Sequence, residues 1–190
     1  MRLTTCITTK NDPERLDKCL QAIWSSNIKP YSAIVSDDSP ESEMQDKNRQ
    51  IVKNYPGTTY LKGPQRGVNA NRNCAVNSVT NTDLIAFVDD DICIDPDFIK
   101  IAIDQYKQMS PEEQRYTFIT GTTYSLSDDG TKYPIFTRPS TLSFRGYYQP
   151  TTKEPTCVHI HAAIFPRQFF YEEQWEDDIF FGQGDAILCL

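Results

Sequence analysis

The chain has 190 residues, 38% of them hydrophobic and 24% charged, with a formal net charge of −7 and an isoelectric point near 4.8. That length holds one α/β domain with a real core, or two very small ones. Acidity of this size argues against a general nucleic-acid binder, which needs a basic face, but leaves room for a local basic pocket that takes a phosphorylated small molecule.

The opening "MRLTTCITTKNDPERL" lacks the uninterrupted apolar core of a signal peptide. No window approaches the roughly 18 apolar residues of a membrane span. Both observations point to the cytosol, with peripheral membrane contact left open. Six cysteines are scattered without a C-x-x-C pair, several inside apolar runs, as expected for buried, reduced thiols.

In chain order, "LTTCIT" reads as a strand. "DPERLDKCLQAIW" reads as a helix, with Asp12 as N-cap and Pro13 in its first turn. Its apolar residues Leu16, Cys19, Leu20, Ile23 and Trp24 recur at helical spacing and mark one buried face. "YSAIVS" is a second strand, followed by the acidic turn "DDSPESE" and a polar helix to about Asn54. "TTYLK" is a third strand, "VNANRNCAVNSV" a helix and "LIAFV" a fourth strand. Asp95-Pro96 then reads as the cap of a further helix, with Phe98, Ile101, Ala102 and Met109 roughly in phase. Strand and helix alternating in this way imply a mostly parallel sheet flanked by helices on both faces.

The second half is less regular. "TFITGTTYSL" reads as one strand, and residues 128–155, rich in Pro, Gly, Thr and Tyr, as loop with short β pieces. "CVHIHAAIF" is strand-like, which puts His159 and His161 on one face, where ligating a metal or simply lining a pocket both fit. After Arg167 no Lys or Arg occurs, while acids accumulate from Glu172 to Asp185. The chain stops at "GDAILCL", inside an apolar helical pattern, as a truncated domain or one completed by a partner surface would.

Ligands of parallel α/β sheets bind beyond the carboxyl ends of the strands. Three loops meet there: "TKND" (9–12), "DDSPE" (37–41) and "DDD" (89–91). "GPQRGVNANRNCA" brings Arg66 and Arg72 towards the same edge. Three adjacent carboxylates repel one another, and a D-x-D at the end of a buried strand suits Mg²⁺ or Mn²⁺, held by one or two carboxylates together with substrate phosphates. An EF-hand is excluded, because "DDDICIDPDFIK" has Cys at position 5, Ile at 6 and Lys at 12. An Asp-nucleophile phosphatase would carry its D-x-D on the first strand rather than the fourth.

At this point the chain resembles the inverting family 2 glycosyltransferases of the GT-A fold, over nearly its whole length. "CITTKND" is similar to an apolar strand ending in P-T-Y-N-R, and "AIVSDDSPES" to I-V-V-D-D-G-S-T-D. "GVNANRNCAVNSVTNTDLIAFVDDD" is similar to G-x-x-x-A-R-N-x-G followed by the apolar strand and the D-x-D. The departures are Thr8 for Pro, Lys10 for the aromatic residue, Asp12 for Arg, and Ser39-Pro40 for Gly-Ser.

The resemblance implies a single domain of GT-A type, residues 1–100 binding the nucleotide sugar and residues 101–190 forming the acceptor and catalytic half. It implies that Thr9 and Asn11 line base and ribose, that Asp38 accepts a hydrogen bond from the base, and that Asp37 stabilises the Asp38 loop. Arg72 would approach the nucleotide or its phosphates, where a guanidinium suits the charge. Asp89 would contact the ribose side, Asp90 would complete the nucleotide-sugar site as spacer, and Asp91 would ligate a Mn²⁺ or Mg²⁺ ion bridging the diphosphate. The family's catalytic base is an Asp late in the chain, and "GQGDAILCL" puts Asp185 there, with Gly184 where the family prefers Glu. "WEDD" offers Asp177 or Asp178 instead. A solvated acidic face accounts equally well for part of this stretch.

The expected activity is transfer of a sugar from a nucleotide diphosphate to the hydroxyl of a saccharide, lipid-linked or protein acceptor, in cytoplasmic polysaccharide or glycoconjugate assembly. UDP is favoured because a carboxylate suits uracil N3–H, an edge dTDP shares; GDP is the third option. Two rivals are a non-catalytic nucleotide-sugar-binding module and a sugar nucleotidyltransferase, though the latter's G-x-G-x-R loop is missing from "TTKNDPERL". The aromatic stretches "FRGYYQP" and "FPRQFFYEEQW" suit either stacking on an acceptor sugar or ordinary core.

Overall fold

The computed structural model describes residues 1–127, 129–136, 140–142, 148–150 and 160–177. Four strands, β1 (Leu3–Thr9), β2 (Ser32–Asp37), β3 (Thr58–Lys62) and β4 (Leu84–Asp89), pair in parallel in the order β3-β2-β1-β4. β5 (Ile119–Thr120) and β10 (Ala162–Pro166) complete a six-stranded sheet as β4-β10-β5, with β10 antiparallel to both neighbours. Between them lie two short antiparallel hairpins, β6 (Thr123–Leu126) with β7 (Lys132–Phe136) and β8 (Ser140–Leu142) with β9 (Tyr148–Pro150).

Alternation along β4 divides the core. Leu84, Ala86 and Val88 face one layer with α1 (Pro13–Trp24), α2 (Glu43–Lys53) and α4 (Phe98–Gln108). Ile85 and Phe87 face the other, with α3 (Val68–Asn77) and the aromatic residues Phe165, Phe170 and Trp175. A strand covered on both sides must be apolar throughout, which explains the unbroken "LIAFV". The rings are tightly grouped, with Phe87 4.5 Å from Trp175 and Phe170 stacked on Trp175 at 5.2 Å. The aromatic residues of "FPRQFFYEEQW" are therefore mainly core, although Tyr171 is exposed.

Three local expectations are corrected. α4 begins at Phe98 with Asp97 as N-cap, because the Asp95 carboxylate accepts from the Asp97 N–H (2.9 Å) and forms a turn two residues earlier. Its buried stripe is Ile99, Ala102, Ile103 and Tyr106, and Ile101 is exposed. "TFITGTTYSL" breaks at Gly121 into β5 and β6, which join different sheets. A Cβ at Gly121 would stand 3.2 Å from the Phe98 ring, so the break passes close over α4. His161 lies in the turn before β10 rather than on a strand face, and His159 is outside the described residues. Cys6 and Cys19 are buried thiols as expected, with pKa values raised by burial, whereas Cys93 is exposed. A fifth helix, α5 (Pro111–Tyr116), carries a capping box from Ser110 and Glu113. No helix among the described residues is long and apolar enough to cross a membrane.

Candidate active site

The sheet order changes direction beside β1, so the carboxyl ends of β1 and β4 flank the switch point where such sheets bind ligands. In register, Thr9 lies abreast of Asp37, and Thr8 abreast of Asp89. Beyond them opens a cleft of about 450 Å³. It brings together Thr9, Asp38, Arg72, Asp89, Asp90 and Asp91, all singled out from the sequence. Thr8, Lys10, Asp12 and Arg15 line one wall further, and Gly67, Val68 and Asn71 the other.

Asn11 is not among the lining residues. Its backbone is left-handed (φ 58°), a conformation Asn tolerates, and its N–H donates to Ser39 Oγ at 2.7 Å. It ties the β1 loop to the β2 loop, while Asp12 caps α1 by accepting from the Arg15 N–H (3.1 Å). The β2 loop is built on Asp37. This fully buried carboxylate accepts from the Ser39 N–H (2.8 Å), Asn48 Nδ2 (3.0 Å) and the Tyr60 hydroxyl (2.8 Å). Three donors compensate for its burial. Burial, with Asp37 beside it, pushes the Tyr60 hydroxyl pKa up.

Asp38 faces the cleft and also accepts from the backbone N–H groups of Gln65 (2.7 Å) and Gly67 (3.2 Å). The two bonds join its loop to the start of α3 and leave carboxylate lone pairs free for a further donor. The approach depends on Gly63. A Cβ there would stand 2.5 Å from both Asp38 Oδ1 and Asn71 Oδ1, and 2.9 Å from the Asp37 carbonyl. Gly63→Ala should therefore displace Asp38 and lower stability by about 1–3 kcal/mol, or roughly 2–12 °C in the melting midpoint. Calorimetric melting checks this, and an unchanged midpoint would show that the loop gives way freely.

On β4, Asp89 is held from two sides. Arg72 Nη2 lies 3.4 Å from its Oδ1 and His161 Nδ1 3.1 Å from its Oδ2. The Asp89 N–H also donates to the His161 carbonyl (3.0 Å). Burial raises the Asp90 carboxyl to about 6; the Thr9 hydroxyl acts against this and Asp91 adds to it. Asp91 is half exposed and lies 3.8 Å from the Arg15 guanidinium. Among the described residues no three His, Cys, Asp or Glu side chains gather into a metal-binding group. Asp89 and Asp91 thus offer one or two carboxylates at an open cleft, a donor set that fits an ion completed by phosphate and water rather than a closed protein cage.

α3 also reaches away from the cleft. Its buried Asn73 accepts from the Trp175 N–H (3.0 Å) and donates to the Trp175 carbonyl (2.8 Å), and Asn69 donates to the Glu176 carbonyl (2.9 Å). Arg72 lies over the Trp175 ring at 5.7 Å, and Arg66 pairs with Asp177 at 3.3 Å. Asp177 is thereby tied to the residue one before Gly67 of the cleft wall. Asp178 and Asp185 lie outside the described residues. Sequence reasoning missed Arg15 and Asn71. Arg15 was legible as the residue one turn after the Asp12 cap. Asn71 was legible only as a neighbour of Arg72.

The fold is similar to that of several solved glycosyltransferases. A mannosyltransferase from Pyrobaculum calidifontis, in complex with GDP-Man and Mn²⁺, matches with TM-score 0.68 and 15% identity over 97% of this chain and 50% of its own. GalNAc-T7 with UDP, GalNAc and Mn²⁺ matches with TM-score 0.71 and 11% identity, over 99% of this chain and 39% of its own. TarS residues 1–349 from S. aureus match with TM-score 0.59 and 13% identity, over 100% and 54%. The chain thus spans about half or less of these proteins, and the shared architecture is of GT-A type. No curated protein sequence matches. The family model described as glycosyl transferase family 2 matches residues 4–173, nine-tenths of the chain, and the chain belongs to that family.

Proposed function

We propose that the chain is the catalytic domain of a metal-dependent inverting glycosyltransferase that takes a nucleotide-diphosphate sugar, with UDP favoured. The observation that carries this reading is the convergence of Asp38, Arg72 and Asp89–Asp91 on one cleft at the switch point of the sheet. Asp38 reads the base edge, since its carboxylate keeps acceptor capacity beyond its two backbone bonds. Thr9 and Asp89 flank the ribose, and Arg72 and Lys10 supply cationic donors to the phosphates. Asp91 would hold a Mn²⁺ or Mg²⁺ ion. When bound, that ion neutralises charge developing on the leaving diphosphate.

Arg72 adds to that stabilisation from a buried position, where a guanidinium acts in a low local dielectric. The general base that takes the proton from the acceptor hydroxyl is Asp185 or, in "WEDD", Asp177 or Asp178. Asp177 pairs with Arg66, the residue before Gly67 of the cleft wall. The acceptor is a saccharide, lipid-linked or protein hydroxyl, in a cytoplasmic assembly step that tolerates peripheral membrane contact.

The test is thermal melting with UDP, dTDP and GDP, each with and without Mn²⁺, together with release of UDP from UDP-hexoses. A nucleotide at 100 times its dissociation constant should add about 2.7 kcal/mol to stability. No shift with any nucleotide and metal would sink the reading. Binding without release would favour the non-catalytic module.

A further inference from the structure

We propose that Asn73, assisted by Asn69, is a positioning residue that aims the acid-bearing segment 175–177 at the cleft, so that it governs turnover and not donor binding. The inference rests on the transferase reading with Asp177 as the acting base.

Residues 173–176 have no regular secondary structure. The buried backbone groups of Trp175 need partners, and a segment lying beside a helix finds none in that helix's backbone. The Asn73 side-chain amide supplies both an acceptor and a donor, pairing with the N–H and the carbonyl of Trp175 as a neighbouring strand would. Asn69, one turn earlier, takes the next carbonyl, that of Glu176. Both amides are almost fully buried. Asn is a poor helix-interior residue because its side chain competes for backbone bonds, and α3 carries three in its first six positions. A solvated face would not bury them.

Packing of the Trp175 ring against Phe87 and Phe170 fixes where that residue sits. It does not fix which way the chain leaves it. Two backbone bonds at Trp175 and one at Glu176 fix the direction, and the next residue is Asp177, held by Arg66. Arg72 lies between Asp89 and the Trp175 ring, so the donor side and the acid-bearing segment meet on the same helix.

The experiment uses the full chain in a Trp24→Phe background, which leaves Trp175 as the only tryptophan. Asn73→Ala and the milder Asn69→Ala are compared with Asn77→Ala, whose exposed side chain accepts from Gln174 Nε2. Measured are acrylamide quenching of Trp175, UDP affinity with Mn²⁺ by calorimetry, and kcat and KM for UDP release from UDP-glucose and UDP-N-acetylglucosamine. Asn73→Ala should raise quenching and lower kcat by about 10–100-fold, the scale set by ångström misplacement of a catalytic group, with UDP affinity and KM within about threefold of the parent. Asn69→Ala should do the same more weakly, and Asn77→Ala should match the parent. Raised quenching with unchanged kcat overturns the proposal and leaves the transferase reading standing. Loss of UDP affinity together with kcat, and a lower melting midpoint, overturns it in favour of a purely structural role. A parent chain that neither binds UDP nor releases it overturns both.

Discussion

Asp91→Asn should fold as the parent does, yet lose its response to Mn²⁺ and release UDP from a UDP-sugar on the order of 100-fold more slowly or worse. The side chain is half exposed and, among the described residues, pairs with the Arg15 guanidinium at 3.8 Å. Exposed ion pairs of that kind contribute about 0–1 kcal/mol, so stability should barely change. The functional loss follows from charge. Asp38, Asp89, Asp90 and Asp91 crowd one cleft, and a diphosphate entering without a cation meets repulsion that Lys10, Arg15 and Arg72 offset only in part. A neutral amide at position 91 keeps the shape and weakens the site's hold on the ion. Calorimetric titration of Mn²⁺ with UDP, beside turnover, checks this. Parent-like metal dependence in Asp91→Asn would move the metal role elsewhere.

Asp177→Asn should give the converse result. A general base contributes about 10²–10⁴-fold to the rate, and the amide cannot accept the acceptor's proton. Because neither Asp177 nor its partner Arg66 lines the cleft, UDP and Mn²⁺ should bind as before. Loss of the partly exposed ion pair should cost at most about 1 kcal/mol. The decisive comparison is Asp185→Asn in the same assay. If that variant loses turnover and Asp177→Asn does not, the base is Asp185.

Where information is local, the sequence was legible. α1 announced itself through Asp12, Pro13 and the stripe from Leu16 to Ile23, all of which hold in the structure. The apolar run of β4 and the acids behind it located the cleft, because a doubly covered strand must end where polar groups can emerge. α4 was misplaced in phase since Pro96 resembles a first-turn proline, and only the Asp95 turn reveals that the helix starts two residues later.

Non-local pairings were not legible. Nothing in "CVHIHAAIF" says that its last residues run antiparallel to β4 or that His161 meets Asp89. The buried amides of α3 were hidden for a different reason. Periodicity detects apolar faces, and a helix face made of Asn and Arg scores as solvated even when it clasps another segment. Asn11 also has a part no periodicity shows, since its left-handed backbone and its N–H bond to Ser39 shape the loop.

The antiparallel return of β10 has a consequence for how this molecule comes into being. β1 to β4 are joined by successive short crossovers, whereas the contact between Asp89 and His161 closes a span of 72 residues. Loop-closure entropy makes that the more expensive join, and a growing chain delivers β10 after the other strands of the sheet. Until it docks, the outer edge of the apolar β4 presents unpaired N–H and carbonyl groups, an open template for another chain. Its acids stand at the end of that same strand, where their mutual repulsion also discourages a second copy from adding in register. The carboxylates at the end of β4 would then protect the nascent chain before any ligand arrives.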